Sequence, residues 1–218
     1  MSKKKRFREE ADAINGKPCL HAVVEVLCYE GGDRSPPWPI ALSNPPWLIR
    51  LSGKVTDREV GSVFAQLVNY NHLESNGDVK ELLDQVIMTS SLILPGGLQV
   101  SSDADKVINP SCCCGLEQWR DWLIFLKTGQ SPWLGHDPKP WVEKVGNLVR
   151  VWSDEGARAF HIDFEYSKFE SQLSKVQQDL NAFLAHIESW AARVGFPEPS
   201  KLSSKFDECF AVSRWHRK

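Results

Sequence analysis

With 218 residues, 42% of them hydrophobic and 10% aromatic, the chain has a globular composition and enough length to bury a sizeable core. Its net charge of −2 argues against a general nucleic-acid or membrane binder. No apolar run approaches the roughly 18 residues of a transmembrane helix, and the basic N-terminus lacks the apolar stretch of a signal peptide.

Lys3, Lys4, Lys5, Arg6 and Arg8 contribute +5 to the net −2, so the remainder carries −7. Such a basic head reads as a solvated, mobile terminus over residues 1–17. The valine-rich run 19–29 predicts a strand. A Gly/Pro loop follows around Gly31, Gly32, Pro36 and Pro37. Over 47–55, Trp47, Ile49, Leu51 and Val55 alternate with Arg50, Ser52 and Lys54, the pattern of a half-buried antiparallel strand.

Thr56 and Glu59 fit a capping box, and Val60, Val63, Phe64, Leu67 and Val68 recur at helical spacing. A helix over 57–70 is predicted, then a break, then a shorter helix over 79–87. Pro95-Gly96-Gly97 reads as a tight turn between two short extended pieces. The glycine pair has no lysine placed to meet a phosphate, so it is not a phosphate loop.

The stretch 108–143 concentrates the chemistry, with three consecutive cysteines and four of the nine tryptophans. Ser111 looks like an N-cap, and Leu116, Trp119, Trp122, Leu123 and Leu126 follow at helical spacing to Lys127 and Gly129. A helix over 112–127 would put Cys112, Cys113 and Cys114 in its first turn, where unpaired amides lower a thiol pKa. Adjacent helical residues point about 100° apart, so three such thiols cannot converge on one ion. The expectation is therefore no stoichiometric metal, at most one fast-reacting thiol, and burial of the others as small apolar groups.

The loop after this helix is stiffened by Pro132, Pro138 and Pro140. Trp133 and Trp141 are expected to be buried and to pin it, with Gly135-His136-Asp137 as an exposed tip. His136 beside Asp137 could be a base with its orienting carboxylate or a metal ligand. The simpler reading is an Asx-turn at Asp137 before Pro138, with His136 half-exposed.

Residues 147–153 and 158–166 predict a hairpin about Asp154, Glu155 and Gly156, with His161 and Asp163 on its solvated face. Phe169, Leu173, Val176, Leu180, Phe183, Leu184, Ile187, Trp190 and Val194 form one apolar stripe, predicting a helix over 166–194 stopped by Gly195 and Pro197. Residues 196–218 form a tail in which Phe206, Phe210 and Trp215 pack back on the domain. Six cysteines, three of them adjacent, do not form a disulfide framework, which points to a reducing cytoplasm.

The run CCCGLEQWRDW followed by PWLGHDPKPW resembles a pattern found in uncharacterised bacterial proteins. The resemblance spans 108–152 and, weakly, the terminal helix. It implies a bacterial cytoplasmic origin and imports no activity or catalytic residues. The predicted class is α+β: a single domain over 18–195, with an antiparallel sheet of about four to six strands packed by the long C-terminal helix and the central helix. Two functions are weighed. One is a non-enzymatic protein-binding module of the immunity or adaptor kind, without cofactor, nucleic acid or membrane, binding through Cys112, Cys113, Cys114, Trp133, His136, Asp137 and Trp141. The other is a thiol- or metal-dependent enzyme built on Cys112, Cys113 and Cys114 with His136 and Asp137.

Overall fold

In the computed structural model, which describes residues 17–26, 36–41, 48–74, 77–102 and 106–213, the valine-rich segment forms β1 (Cys19–Glu25). The basic head up to residue 16, the continuation of β1 past residue 26, Trp47 and Trp215 lie outside the described residues. β1 is an inner strand of an antiparallel sheet ordered β2-β1-β3-β4, with β2 at Leu48–Arg50, β3 at Gly96–Ser102 and β4 at Lys106–Ile108. Alternation carried the burial of Ile49, Leu51 and Val55 correctly, but β2 stops at Arg50 and the chain turns through Ser52 to Lys54.

Gly96 and Gly97 belong to β3 and are not a tight turn. Their pairing partners are Val24 and Val23 of β1. A Cβ on Gly96 would lie 2.2 Å from the Val23 carbonyl oxygen, so the missing side chain lets the two strands meet.

Helices α1 (Asp57–Tyr70) and α2 (Val79–Met88) match the periodicity. The capping box at the head of α1 is formed: the Glu59 amide donates to Thr56 Oγ1 (3.3 Å), and the Thr56 amide donates to Glu59 Oε2 (2.6 Å). Helix α3 is short, Asp121–Thr128, and closes at Gly129 in the left-handed region.

The predicted hairpin exists as β6 (Leu148–Trp152) and β7 (His161–Glu165), and it gains a third strand, β5 (Trp141–Val145). Trp141 thus begins a strand where the sequence suggested the end of a loop. The α+β class holds, with seven strands among the described residues divided between two antiparallel sheets, β2-β1-β3-β4 and β5-β6-β7.

Helix α4 (Tyr166–Arg193) joins the two sheets, packing on β1 of the first and on β6 and β7 of the second. Its stripe from Phe169 through Leu173, Val176, Leu180, Phe183 and Ile187 to Trp190 is buried. Trp190 stacks on Phe64 of α1 at 4.9 Å between ring centroids. The tail is itself a helix, α5 (Pro199–Phe210), which buries Phe206 and Phe210 against α4. Its end is held by the central stretch: Trp119 Nε1 donates to the Phe210 carbonyl (2.8 Å), and Arg120 donates to the carbonyls of Ala211 and Val212. Among the described residues no helix is long and apolar enough to cross a membrane.

Candidate thiol and imidazole site

The predicted helix over 112–127 is not formed at its start. Cys112 and His136 make an isolated antiparallel bridge, and Pro95 and Gly115 make another. The backbone groups that a first helical turn would use are committed elsewhere. The Ser111 amide donates to Leu134 (3.1 Å), the His136 amide to the Cys112 carbonyl (3.1 Å), the Gly96 amide to Cys114 (3.1 Å) and the Leu116 amide to Leu94 (2.9 Å). Cys113 takes a positive φ of 66°, which no regular helix contains. Only a 3-10 turn at Leu116–Gln118 precedes α3.

That backbone overturns both arguments drawn from a helical turn. The thiols owe nothing to a helix N-terminus, and their directions are not fixed about 100° apart. Cys112 and Cys113 both reach solvent with Sγ atoms 3.5 Å apart, while Cys114 turns inward and is buried. Burial, with the Glu117 and Asp121 carboxylates nearby, pushes the Cys114 thiol up to about 12. It is a small core residue, in the way free cysteine often is.

The second strand of the bridge supplies the imidazole. Gly135 is buried and not part of an exposed tip: with φ at 96°, its α-carbon is pressed on Ser111 and Cys112, and a Cβ there would lie 2.6 Å from the Cys112 carbonyl oxygen. This close approach sets His136 beside the two thiols. Cys112, Cys113 and His136 offer ligand atoms that all lie within 4.8 Å of one another. His136 Nδ1 is 2.9 Å from Asp137 Oδ2, so the neighbouring pair does supply the geometry that sequence adjacency alone made doubtful. Positive φ at Asp137 (58°) turns its carboxylate back to its neighbour.

The electrostatics divide the two exposed thiols. Hydrogen bonding from Cys112, and then from His136, holds the Cys113 thiol below its ordinary value. The same contact with Cys113 pushes the Cys112 thiol up. His136 is raised, first by the Asp137 carboxylate and then by Cys113.

Trp133 is 44% exposed, against the expectation of burial. Pro132 and Leu134 on either side of it are buried, so this extended segment anchors through them and turns the indole outward. The ring stands 6.3 Å from that of His136. Trp141 is half-buried and lies away from this cluster in role: it stacks on Trp152 at 5.7 Å with planes 10° apart. The other sequence candidates, His161 and Asp163, do share a face, but Asp163 is taken by a two-pronged ion pair with Arg150 (2.8 and 2.9 Å). Five of the seven residues singled out in the sequence therefore surround one surface point: Cys112, Cys113, Trp133, His136 and Asp137.

Sequence reasoning missed the Trp141–Trp152 pair. The register Trp141↔Trp152↔His161 produces it, and recognising β5 as a strand would have revealed it.

Three ligand atoms within 4.8 Å of one another, two of them thiol sulfurs, match the donor set of a thiophilic divalent ion. A tetrahedral zinc with bonds of about 2.3 Å to sulfur holds its sulfurs about 3.8 Å apart. The observed 3.5 Å is close to that spacing. The Asp137 carboxylate on His136 is the partner that commonly orients a ligating imidazole. Comparison with protein-family models, curated proteins and solved structures finds no match.

Proposed function

We propose that this protein binds a thiophilic divalent metal ion of the zinc type through Cys112, Cys113 and His136. The observation that carries the reading is the convergence of those three ligand atoms within 4.8 Å on an irregular, cross-bridged backbone. Asp137 orients the imidazole, and both thiols bind as thiolates, giving up their protons to solvent. The fourth position faces solvent, beside Trp133, and takes water or a ligand from outside. A bacterial cytoplasm is the compartment that suits it, since reduced thiols stay available there.

Elemental analysis of protein purified in a reducing buffer and loaded with zinc tests this. The expected result is one zinc per chain, lost in both Cys113→Ser and His136→Ala. A chain that takes up no stoichiometric zinc, or variants that keep it, overturns the reading.

A second reading, a non-enzymatic adaptor or immunity-type module that binds another protein, draws on the exposed indole of Trp133. Its signature is Trp133→Ala weakening partner capture from the native host while zinc content stays unchanged.

A further inference from the structure

A second site lies on the outer face of the β5-β6-β7 sheet, built from residues that the cysteine cluster does not use. Alternation along the strands puts Val142, Val151 and Ile162 into the core and raises Trp141, Trp152 and His161 as a row on the opposite face. Beside that row the loop between β6 and β7 rises as a wall. The resulting cleft, about 450 Å³ in volume, is lined by Trp141, Trp152, Asp154, Glu155, Gly156 and Ala159. This is the size of a small-molecule pocket. The two indoles are nearly parallel, 10° apart, and fixed: Trp152 Nε1 donates to Glu143 Oε1 at 2.9 Å, and His161 packs on the same ring at 4.7 Å.

The charges around the floor are unequal in availability. Glu155 is matched by Lys139 Nζ at 2.9 Å, and Arg150 is matched by Asp163. Burial holds His161 below its ordinary value, so it stays neutral at neutral pH. Asp154 differs. Its carboxylate accepts from the backbone amides of Lys139 (3.1 Å) and Glu155 (2.8 Å) and pairs with no cation among the described residues. Those amides hold its pKa below the ordinary carboxylate value and fix its direction. The cleft thus combines negative π-faces with one rigid, unmatched anion. Its rim offers a cation complementary charge at two levels, and offers an anion repulsion.

We propose that this cleft binds a small organic cation of the alkylammonium class, with the cationic head against the wall formed by the stacked Trp141 and Trp152 indoles and Asp154 as its counter-ion. Arg150, whose guanidinium lies 5.6 Å from the Trp152 ring centroid, shows the same indole already accepting a cation from within the chain.

Choline and its neutral carbon isostere, 3,3-dimethylbutan-1-ol, are the probes, read by the indole N–H signals of Trp141 and Trp152 in nitrogen-correlated NMR. Choline should shift both signals to saturation and bind about tenfold tighter than the isostere. Trp141→Ala should abolish both shifts at Trp152. Asp154→Asn keeps an acceptor for the loop amides, and should bring choline down to the level of the isostere without changing the isostere itself. Equal binding of the two probes to the wild-type protein makes the cleft merely apolar and overturns the proposal. So does choline moving neither signal at up to about 100 mM. Because the probe comparison is made on the unaltered chain, a variant that fails to fold leaves the test intact.

Discussion

Helix α4 and the stretch 108–141 carry the same kind of sequence signal, large apolar residues at helical spacing, and meet different fates. In α4 the backbone is regular helix throughout, so periodicity and backbone agree from Tyr166 to Arg193. In the central stretch Leu116, Trp119 and Trp122 are buried as their spacing predicts, yet regular helix begins only at Asp121. The amides and carbonyls before it are drawn to Leu94, Gly96, Leu134 and His136. Periodicity reports which residues are buried. It does not report whether the chain reaches burial by local or by distant hydrogen bonds, and the proposed metal site lies where the bonds are distant.

The sharpest test of that contrast is energetic. Leu180→Ala and Phe183→Ala remove fully buried groups of α4 and should each cost about 2–5 kcal/mol in denaturant unfolding. Trp133→Ala removes a larger side chain from the loop, but an exposed one, and should stay within about 0.5 kcal/mol of wild type. Comparable losses from Trp133 and Phe183 would erase the distinction between a packed element and a presented one.

Much of the scaffold was legible for this reason. The helices at 57–70, 79–88 and 166–193 announce themselves by spacing, the first also by its capping box and the last by its Gly195 and Pro197 stop, and the β6-β7 hairpin by its turn. The division into two sheets was not legible, because α4 spans both and nothing in a single strand names its neighbour. Of the site, five of the seven residues read from the sequence do lie together, but not through the helical turn that the sequence suggested. His136 reaches the two neighbouring thiols because Gly135 permits a close bridge, a contact between residues more than twenty apart, and no local pattern encodes it. Trp133 was misjudged because the burial of Pro132 and Leu134 dictates the opposite direction for the residue between them.

Gly135 gives the next largest effect. A methyl group there would meet the Cys112 carbonyl at 2.6 Å in a backbone with φ of 96°. Gly135→Ala should therefore lose more than about 1 kcal/mol of stability. The same sample should also fall short in zinc content, since the bridge that aligns His136 with the thiols has to open. A stable variant with full zinc occupancy would show that the bridge does not organise the site.

A milder change separates ligand from orienting partner. Asp137→Asn keeps every proposed ligand and removes the charge on His136. Zinc affinity, measured by competition with a chelator, should drop about 10–100-fold with stoichiometry preserved. Unchanged affinity would mean that the Asp137 contact does nothing for the metal.

The smallest effect concerns a carboxylate within the central stretch. Glu117 sits in the 3-10 turn under the cysteine bridge, and its Oε2 is buried with no hydrogen-bond partner among the described residues. Burial raises its pKa, with amide donors from its own residue and Leu94 opposing in part. The folded state therefore holds this proton more tightly than the unfolded state, whose value is about 4.3. Stability attributable to Glu117 is lost as pH rises from that unfolded value through the raised folded one. Glu117→Gln keeps an acceptor for the two amides and removes the buried charge, and a neutral amide is less costly to bury than a carboxylate. The variant should be modestly more stable than wild type at pH 7 and should lose that advantage on acidification through the same window, as urea midpoints across the range will show. A variant less stable at pH 7, with the wild-type pH slope, would mean that the ionised carboxylate is serving the turn and that its charge is not the liability its burial implies.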